Sequence, residues 1–313
     1  MAGQRGPWVA ATSTSRVHRP NLFVIGSMKS GTTYLSAMLG SHPAIFMSSP
    51  REPCYFVDPR ALRRAWPRMW EKGFWQSADR YLDLFAGARD ATVIAESSNF
   101  YSQDPLFAGV PERILSFSPD ARFIYIMRDP VERTISHYWH HVSWLGERRP
   151  LLTALRSDPL YTDVSHYARQ LSAYLAHVEP RRVYALTLEA LAADPIGQLR
   201  LMYAWLGVDP SFRPPDLNVP ANVRPRTFRR ARGHGVLDRM RRTSRSYWTI
   251  APFLPAALRQ LGWKLAVRDV TADEAPLAEA HTLLRSRQRP QTEELGRLLN
   301  RTFPEWKTLF GAS

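Results

Sequence analysis

The sequence has a single cysteine, Cys54, among 313 residues, which excludes an internal disulfide and with it a small disulfide-stapled scaffold. Cysteine and histidine nowhere cluster at zinc-ligand spacing, so no structural metal is expected and a reducing compartment fits best. Lysine is almost as scarce: Lys29, Lys72, Lys264 and Lys307 are the only lysines among 42 basic residues. No apolar run reaches the roughly 18 residues that a membrane span requires. The nearest approach, Tyr247 to Val267, is broken by Pro252, Pro255, Arg259 and Lys264 and reads as a helix pair. Residues 1–20 carry Arg5, Arg16 and Arg19 without the apolar core of a secretory signal, and read as a disordered lead-in. Internal repeats and low-complexity linkers are also missing. A single domain over residues 21–313 is therefore expected, with no transmembrane segment and nothing that speaks to oligomeric state.

What is present is an ordinary globular balance, 44% hydrophobic and 22% charged. The net charge of +14 points to an anionic ligand, polymer or surface. Arginine supplies nearly all of it, and a GC-rich bacterial genome produces the same bias without any selection for binding. A cytoplasmic location is the expectation that follows from cysteine usage and the absence of a signal. Charge alone also fits a non-enzymatic polyanion-binding protein, but no nucleic-acid-binding motif accompanies it, so nucleic acid is not an expected partner.

Read along the chain, Asn21 to Gly26 is a short apolar run closed by glycine, as suits a buried strand of a parallel sheet. From Thr32, the residues Leu35, Met38 and Leu39 recur at helical spacing as far as Gly40. Further strand-like runs lie at Ala44 to Met47, Thr92 to Ala95, Arg122 to Met127 and Arg182 to Leu186. Helical patterns lie between and after them, at Val131 to Trp144, Tyr161 to Val178 and Pro195 to Leu206. Alternating strands and helices predict an α/β fold, a central parallel sheet flanked by helices. After Asp209, prolines lead into a stretch with nine arginines between Arg224 and Arg245, so residues 210–245 read as a basic, extended flap and residues 246–313 as a helical C-terminal part.

Between the first strand and the first helix lies Gly26-Ser27-Met28-Lys29-Ser30-Gly31-Thr32-Thr33. Backbone N–H groups and the helix dipole converge on an anion at such a place, which makes this a P-loop-like nucleotide-binding core. Against the triphosphate pattern G-x-x-x-x-G-K-[ST], both glycines are in register, but Thr32 occupies the lysine position and the lysine has moved to Lys29. Arg128 ends the strand Arg122 to Met127, where metal-triphosphate chemistry prefers a carboxylate. A small-molecule or nucleoside kinase using ATP and magnesium remains the alternative.

With these residues in view, the sequence resembles the sulfotransferases that use 3′-phosphoadenosine 5′-phosphosulfate (PAPS), of the bacterial type related to the heparan sulfate N- and 3-O-sulfotransferase domains. Two motifs carry the resemblance. Lys29-Ser30-Gly31-Thr32-Thr33 matches the loop that holds the 5′-phosphosulfate. Ile124 to Tyr138 matches a strand ending in arginine followed by a helix with a serine eight residues on; by resemblance Arg128 and Ser136 bind the 3′-phosphate. An arginine fork at a strand's C-terminal edge suits a dianionic phosphate. The resemblance implies sulfuryl transfer to a hydroxyl, or an amine, of a carbohydrate or other small molecule, with no metal required and Lys29 stabilising the leaving phosphate.

Such a transfer needs a base for the acceptor proton. Glu52, in Pro50-Arg51-Glu52-Pro53-Cys54-Tyr55-Phe56, resembles the family element Glu-x-x-Phe-Phe, whose glutamate is the proposed base. Without the resemblance, an exposed glutamate paired with Arg51 would be the plainer reading. His42, His137, His140 and His141 are the runners-up on chemical grounds. Ala95 to Tyr101 resembles an element lining the active site, with Ser97 where the heparan sulfate enzymes have a lysine; Glu96 either orients Lys29 or is an ordinary strand-end carboxylate. In the flap, Asn222, Arg224, Arg226 and Arg229 stand where relatives carry an arginine loop over the cofactor, and Arg226 is taken as cofactor-binding. Trp66, Trp70, Trp75, Trp248 and Trp263 line an acceptor cleft or pack the core.

Overall fold

Strands β1 (Leu22–Gly26), β2 (Ile45–Met47), β3 (Val93–Ser97), β4 (Arg122–Met127) and β5 (Val183–Thr187) form one sheet of order β2-β3-β1-β4-β5, with every neighbouring pair parallel. This architecture comes from a computed structural model that describes residues 18–215, 227–231, 267–271 and 274–311. All five strands fall within a residue or two of the apolar runs in the sequence. The reason is burial on both faces, which makes a parallel strand apolar throughout. Phe23, Ile25, Phe123, Tyr125 and Met127 enter one core, while Leu22, Val24, Ile124 and Ile126 enter the other.

The helices are α1 (Thr32–Gly40), α2 (Pro59–Ala65), α3 (Pro67–Glu71), α4 (Ala78–Leu82), α5 (Val110–Phe117), α6 (Pro130–Trp144) and α7 (Leu151–Ser157). They continue as α8 (Leu160–Asp163), α9 (Tyr167–Leu175), α10 (Leu188–Ala193), α11 (Pro195–Leu206), α12 (Glu274–Leu299) and α13 (Lys307–Phe310). Residues from α1, α10 and α11 cover one face of the sheet; residues from α5, α6, α9 and α12 cover the other. No described helix is long and apolar enough to cross a membrane.

Two local expectations are corrected. The helical pattern from Tyr161 to Val178 is broken between α8 and α9 at Val164 to His166. There the Ser165 hydroxyl meets the Arg133 guanidinium and the Thr134 hydroxyl and donates to the Pro130 carbonyl, a set of tertiary bonds that a continuous helix would not reach. The C-terminal part is helical as expected, but it includes a strand, β7 (Val267–Thr271). β7 pairs antiparallel with β6 (Thr227–Ala231) from the flap, setting Arg229 opposite Asp269. Flap residues 216–226, Arg226 included, and 232–245 lie outside the described residues.

The sheet order positions the site. Parallel strands end along one edge, and ligands of open α/β sheets sit there. β1 is central, so the loop Ser27 to Gly31 lies between the end of β3, with Ser98 and Asn99, and the end of β4, with Arg128.

Candidate active site

Lys29 and Gly31 have φ of 70° and 87°, so the chain passes twice through the left-handed region before α1 begins. Gly31 is the N-cap and has no side chain to offer, leaving the first N–H groups of α1 uncapped. A side chain would be strained there: φ lies in the left-handed region and a Cβ would come within 2.7 Å of Leu188 Cδ1. Ser30 is buried with its hydroxyl 2.6 Å from that of Ser27, so it braces the loop, whereas Lys29 is half-buried and Thr33 exposed. Burial, then the charges of Arg128 and Arg133, pull the Lys29 ammonium below its ordinary pKa. An anion placed in this loop would relieve that repulsion.

Asp129 and Pro130 start α6 in the way the sequence pattern suggests: Asp129 Oδ1 accepts from the N–H of Val131 at 2.9 Å and of Glu132 at 3.2 Å, and Pro130 takes the first helical position. The second oxygen, Oδ2, accepts from Leu309 N–H at 2.9 Å, which ties the C-terminal segment to this corner. Arg128 therefore pairs not with its neighbour but with Glu132, at 3.5 Å. Its backbone is held by the Tyr167 hydroxyl, which donates to Arg128 O at 2.7 Å. Ser136 is half-buried two turns along α6.

Arg133 escaped sequence reasoning. It is fully buried, and among the described residues it meets no carboxylate. It donates instead to Met28 O at 3.5 Å, His137 Nδ1 at 3.3 Å and Thr134 Oγ1 at 3.3 Å, and also to Ser165 Oγ and Tyr161 O. Burial pushes its pKa down to about 10. The contact with Met28 couples α6 to the Lys29 loop. The one sequence signal was its place on the stripe Arg133, His137, His141, four residues apart on the buried face of α6.

The histidines fare poorly as bases. Arginine can only donate, so His137 accepts at Nδ1 and is neutral, with its proton on Nε2. Burial, reinforced by Arg133, drives its pKa well below the ordinary value, and His140 and His141 are pushed down to about 4, chiefly by burial. Groups that weak accept a proton poorly near neutrality. Both ring nitrogens of His42 are engaged, one against Asp209 O at 3.1 Å and the other accepting from Ala44 N–H at 3.1 Å.

Glu52 stands in the loop after β2 with φ of 58°. Its N–H donates to Ser97 O at 2.9 Å, and Asn99 grips its carboxylate with the backbone N–H at 2.7 Å and Nδ2 at 2.8 Å. Arg51 does not hold it, contrary to the plainer reading of the sequence. Burial raises the Glu52 pKa to about 7 against the opposing effects of the Asn99 bond, Arg51 and Lys72. Glu96, below on β3, is fully buried and accepts from the Tyr81 hydroxyl at 3.0 Å. Burial lifts it to about 8, and the Glu52 charge adds to the rise. Its hydrogen-bond partner is thus Tyr81 rather than Lys29. Ser97 is fully buried and its hydroxyl has no partner among the described residues.

Of the tryptophans, Trp66 is buried at 5.1 Å from the Phe100 ring, while Trp70 and Trp75 stack on each other at 5.1 Å. Trp248, Trp263, Asn222 and Arg224 lie outside the described residues. Among the described residues there is no group of three or more His, Cys, Asp or Glu side chains suited to a metal ion.

Residues 20–213 match the model of a family described as the sulfotransferase family. The chain belongs to that family. A curated sulfotransferase relative, the membrane-associated sulfotransferase kil1 of Dictyostelium discoideum, is 35% identical over 130 residues, covering 42% of this chain and 25% of that protein. The human bifunctional heparan sulfate N-deacetylase/N-sulfotransferase 3 is 27% identical over 212 residues, 62% of this chain and 23% of its own length. Mouse heparan sulfate glucosamine 3-O-sulfotransferase 3A1 is 27% identical over 202 residues, 60% and 46%. The chain thus spans less than half the length of these curated relatives. A sulfotransferase from Alicyclobacillus acidocaldarius shares the fold, with a TM-score of 0.68 at 23% identity, over 93% of this chain and all of that one.

Proposed function

We propose that the protein transfers the sulfuryl group of PAPS to an acceptor hydroxyl, with Glu52 as the base. The observation that carries this reading is the arrangement along the C-terminal edge. The left-handed Lys29 loop sits between Arg128 on one side and, on the other, the Asn99 turn that grips Glu52.

The donor set fits a nucleotide with phosphates at both ends. Lys29, Gly31, Thr32 and Thr33 would hold the 5′-phosphosulfate, Lys29 by its ammonium and the others by the uncapped N–H groups of α1, with Ser30 bracing the loop through Ser27. Arg128 and Ser136 would hold the 3′-phosphate, and Arg226 belongs to the same proposal from the flap. PAPS itself supplies the activated sulfuryl group. Glu52 takes the acceptor proton as the acceptor oxygen bonds to sulfur and the bond from sulfur to the phosphate oxygen breaks. Lys29 offsets the charge that develops on that departing oxygen. A carbohydrate or other small molecule is the proposed acceptor, in keeping with the names of the heparan sulfate relatives.

Transfer of sulfur-35 label from PAPS to a panel of acceptors tests the reading directly. Label transfer, together with thermal stabilisation by 3′-phosphoadenosine 5′-phosphate (PAP), is the expected result. Absence of a PAP response, or magnesium-dependent ATP turnover, would overturn it.

A further inference from the structure

Lys72 follows α3, at its C-terminal cap and twenty positions from Glu52 in sequence. Its ammonium nevertheless donates to two successive carbonyls of the Glu52 loop, Arg51 O at 2.8 Å and Glu52 O at 3.0 Å. A side chain with a Cβ enters the left-handed region only when its surroundings hold it there. Glu52 is held at every polar atom: N–H by Ser97 O, both carboxylate oxygens by Asn99, and the carbonyl by Lys72. The first two holds come from the end of β3. Lys72 alone reaches in from the α2–α3 segment.

An ammonium also brings charge. The ionisable groups acting on this loop are Arg51 and Lys72, which favour the ionised carboxylate, and Glu96 and Cys54, which lie buried beside it. Arg51 is sequence-adjacent and its Nη1 has no hydrogen-bond partner among the described residues, so its charge acts without fixing geometry. Lys72 does both. Ser97, buried on β3, offers no cation here.

Resting on the reading of Glu52 as the base, we infer that Lys72 is a positioning residue for it, clamping the left-handed loop through two carbonyls and supplying the positive charge beside the carboxylate. The inference predicts a separation that a merely structural lysine would not produce. Lys72→Met should lower kcat about tenfold near neutral pH and move the acid limb of the kcat profile to higher pH, because the carboxylate loses a stabilising charge. The KM for PAPS and the thermal shift with PAP should stay unchanged, and Lys72→Arg, which keeps charge and donors, should recover most of the turnover.

Lys72→Met with the wild-type kcat and an unmoved acid limb overturns the inference. If Lys72→Met does not fold, Lys72→Gln replaces it: this variant keeps donors without charge, and an unmoved limb is again fatal. Failure of the underlying reading has a different signature. Glu52→Gln would then turn over normally, whatever Lys72 variants do.

Discussion

Asn99 holds both carboxylate oxygens of Glu52, one through its backbone N–H at 2.7 Å and the other through its side-chain amide at 2.8 Å. One residue thereby fixes the plane of the carboxylate, and each oxygen keeps lone-pair capacity for an acceptor proton. The same turn, Asn99 to Ser102, also holds the end of β1 that leads into the Lys29 loop, because the Ser102 hydroxyl donates to Ile25 O at 2.6 Å. Glu52 and the end of β1 are thus braced by one short element.

Glu52→Gln should cut kcat by about 10²- to 10⁴-fold while leaving the KM for PAPS nearly as it was. A base works ionised, and burial has raised this carboxyl to about 7. Turnover should therefore climb as pH rises through about 7 and fall away below it. A steady-state pH profile checks both statements.

Arg128→Ala should weaken PAP binding by about 10- to 100-fold, the scale of a lost charge-assisted bond, and raise the KM for PAPS in parallel. Ser136→Ala should cost about fivefold, as a neutral hydroxyl contact would. Calorimetric titration with PAP separates the two; equal affinities in wild type and Arg128→Ala would remove Arg128 from the nucleotide site.

Arg133→Met should destabilise the fold by about 2–4 kcal/mol, because the carbonyls of Met28 and Tyr161 lose a buried donor. Since Met28 belongs to the phosphate loop, PAP affinity should drop as well. Urea denaturation with and without PAP reads both effects.

Glu96 makes stability depend on pH. Its carboxyl is raised to about 8 in the fold, above its ordinary value of 4.5. The native state therefore holds a proton that the unfolded chain has released. Its contribution is complete below about pH 4.5 and is lost as pH rises through about 8. Glu96→Gln should flatten the decline of melting temperature between pH 5 and pH 8.

Much of the fold was legible in local pattern. The five strands read as apolar runs because both faces of a parallel sheet are buried, and the phosphate loop read as glycine and small hydroxyl residues between strand and helix. Asp129-Pro130 carries its own cap chemistry. What escaped were contacts between distant segments. The break at Ser165 depends on Arg133, 32 residues earlier, and the pairing of β6 with β7 joins the flap to the C-terminal part.

By itself, the sequence determined the order of the five sheet strands and of α1, α6 and α11, the Lys29 loop, the arginine at the end of β4 and a glutamate after β2, since each is set by neighbours a few residues away. Only the tertiary structure decided which groups act on them. It placed Asn99 and Lys72 on Glu52, Tyr167 on Arg128, and the buried guanidinium of Arg133 against Met28 in the Lys29 loop. Burial and long-range hydrogen bonding govern these pairings. Neither has a period or a spacing that a sequence can display.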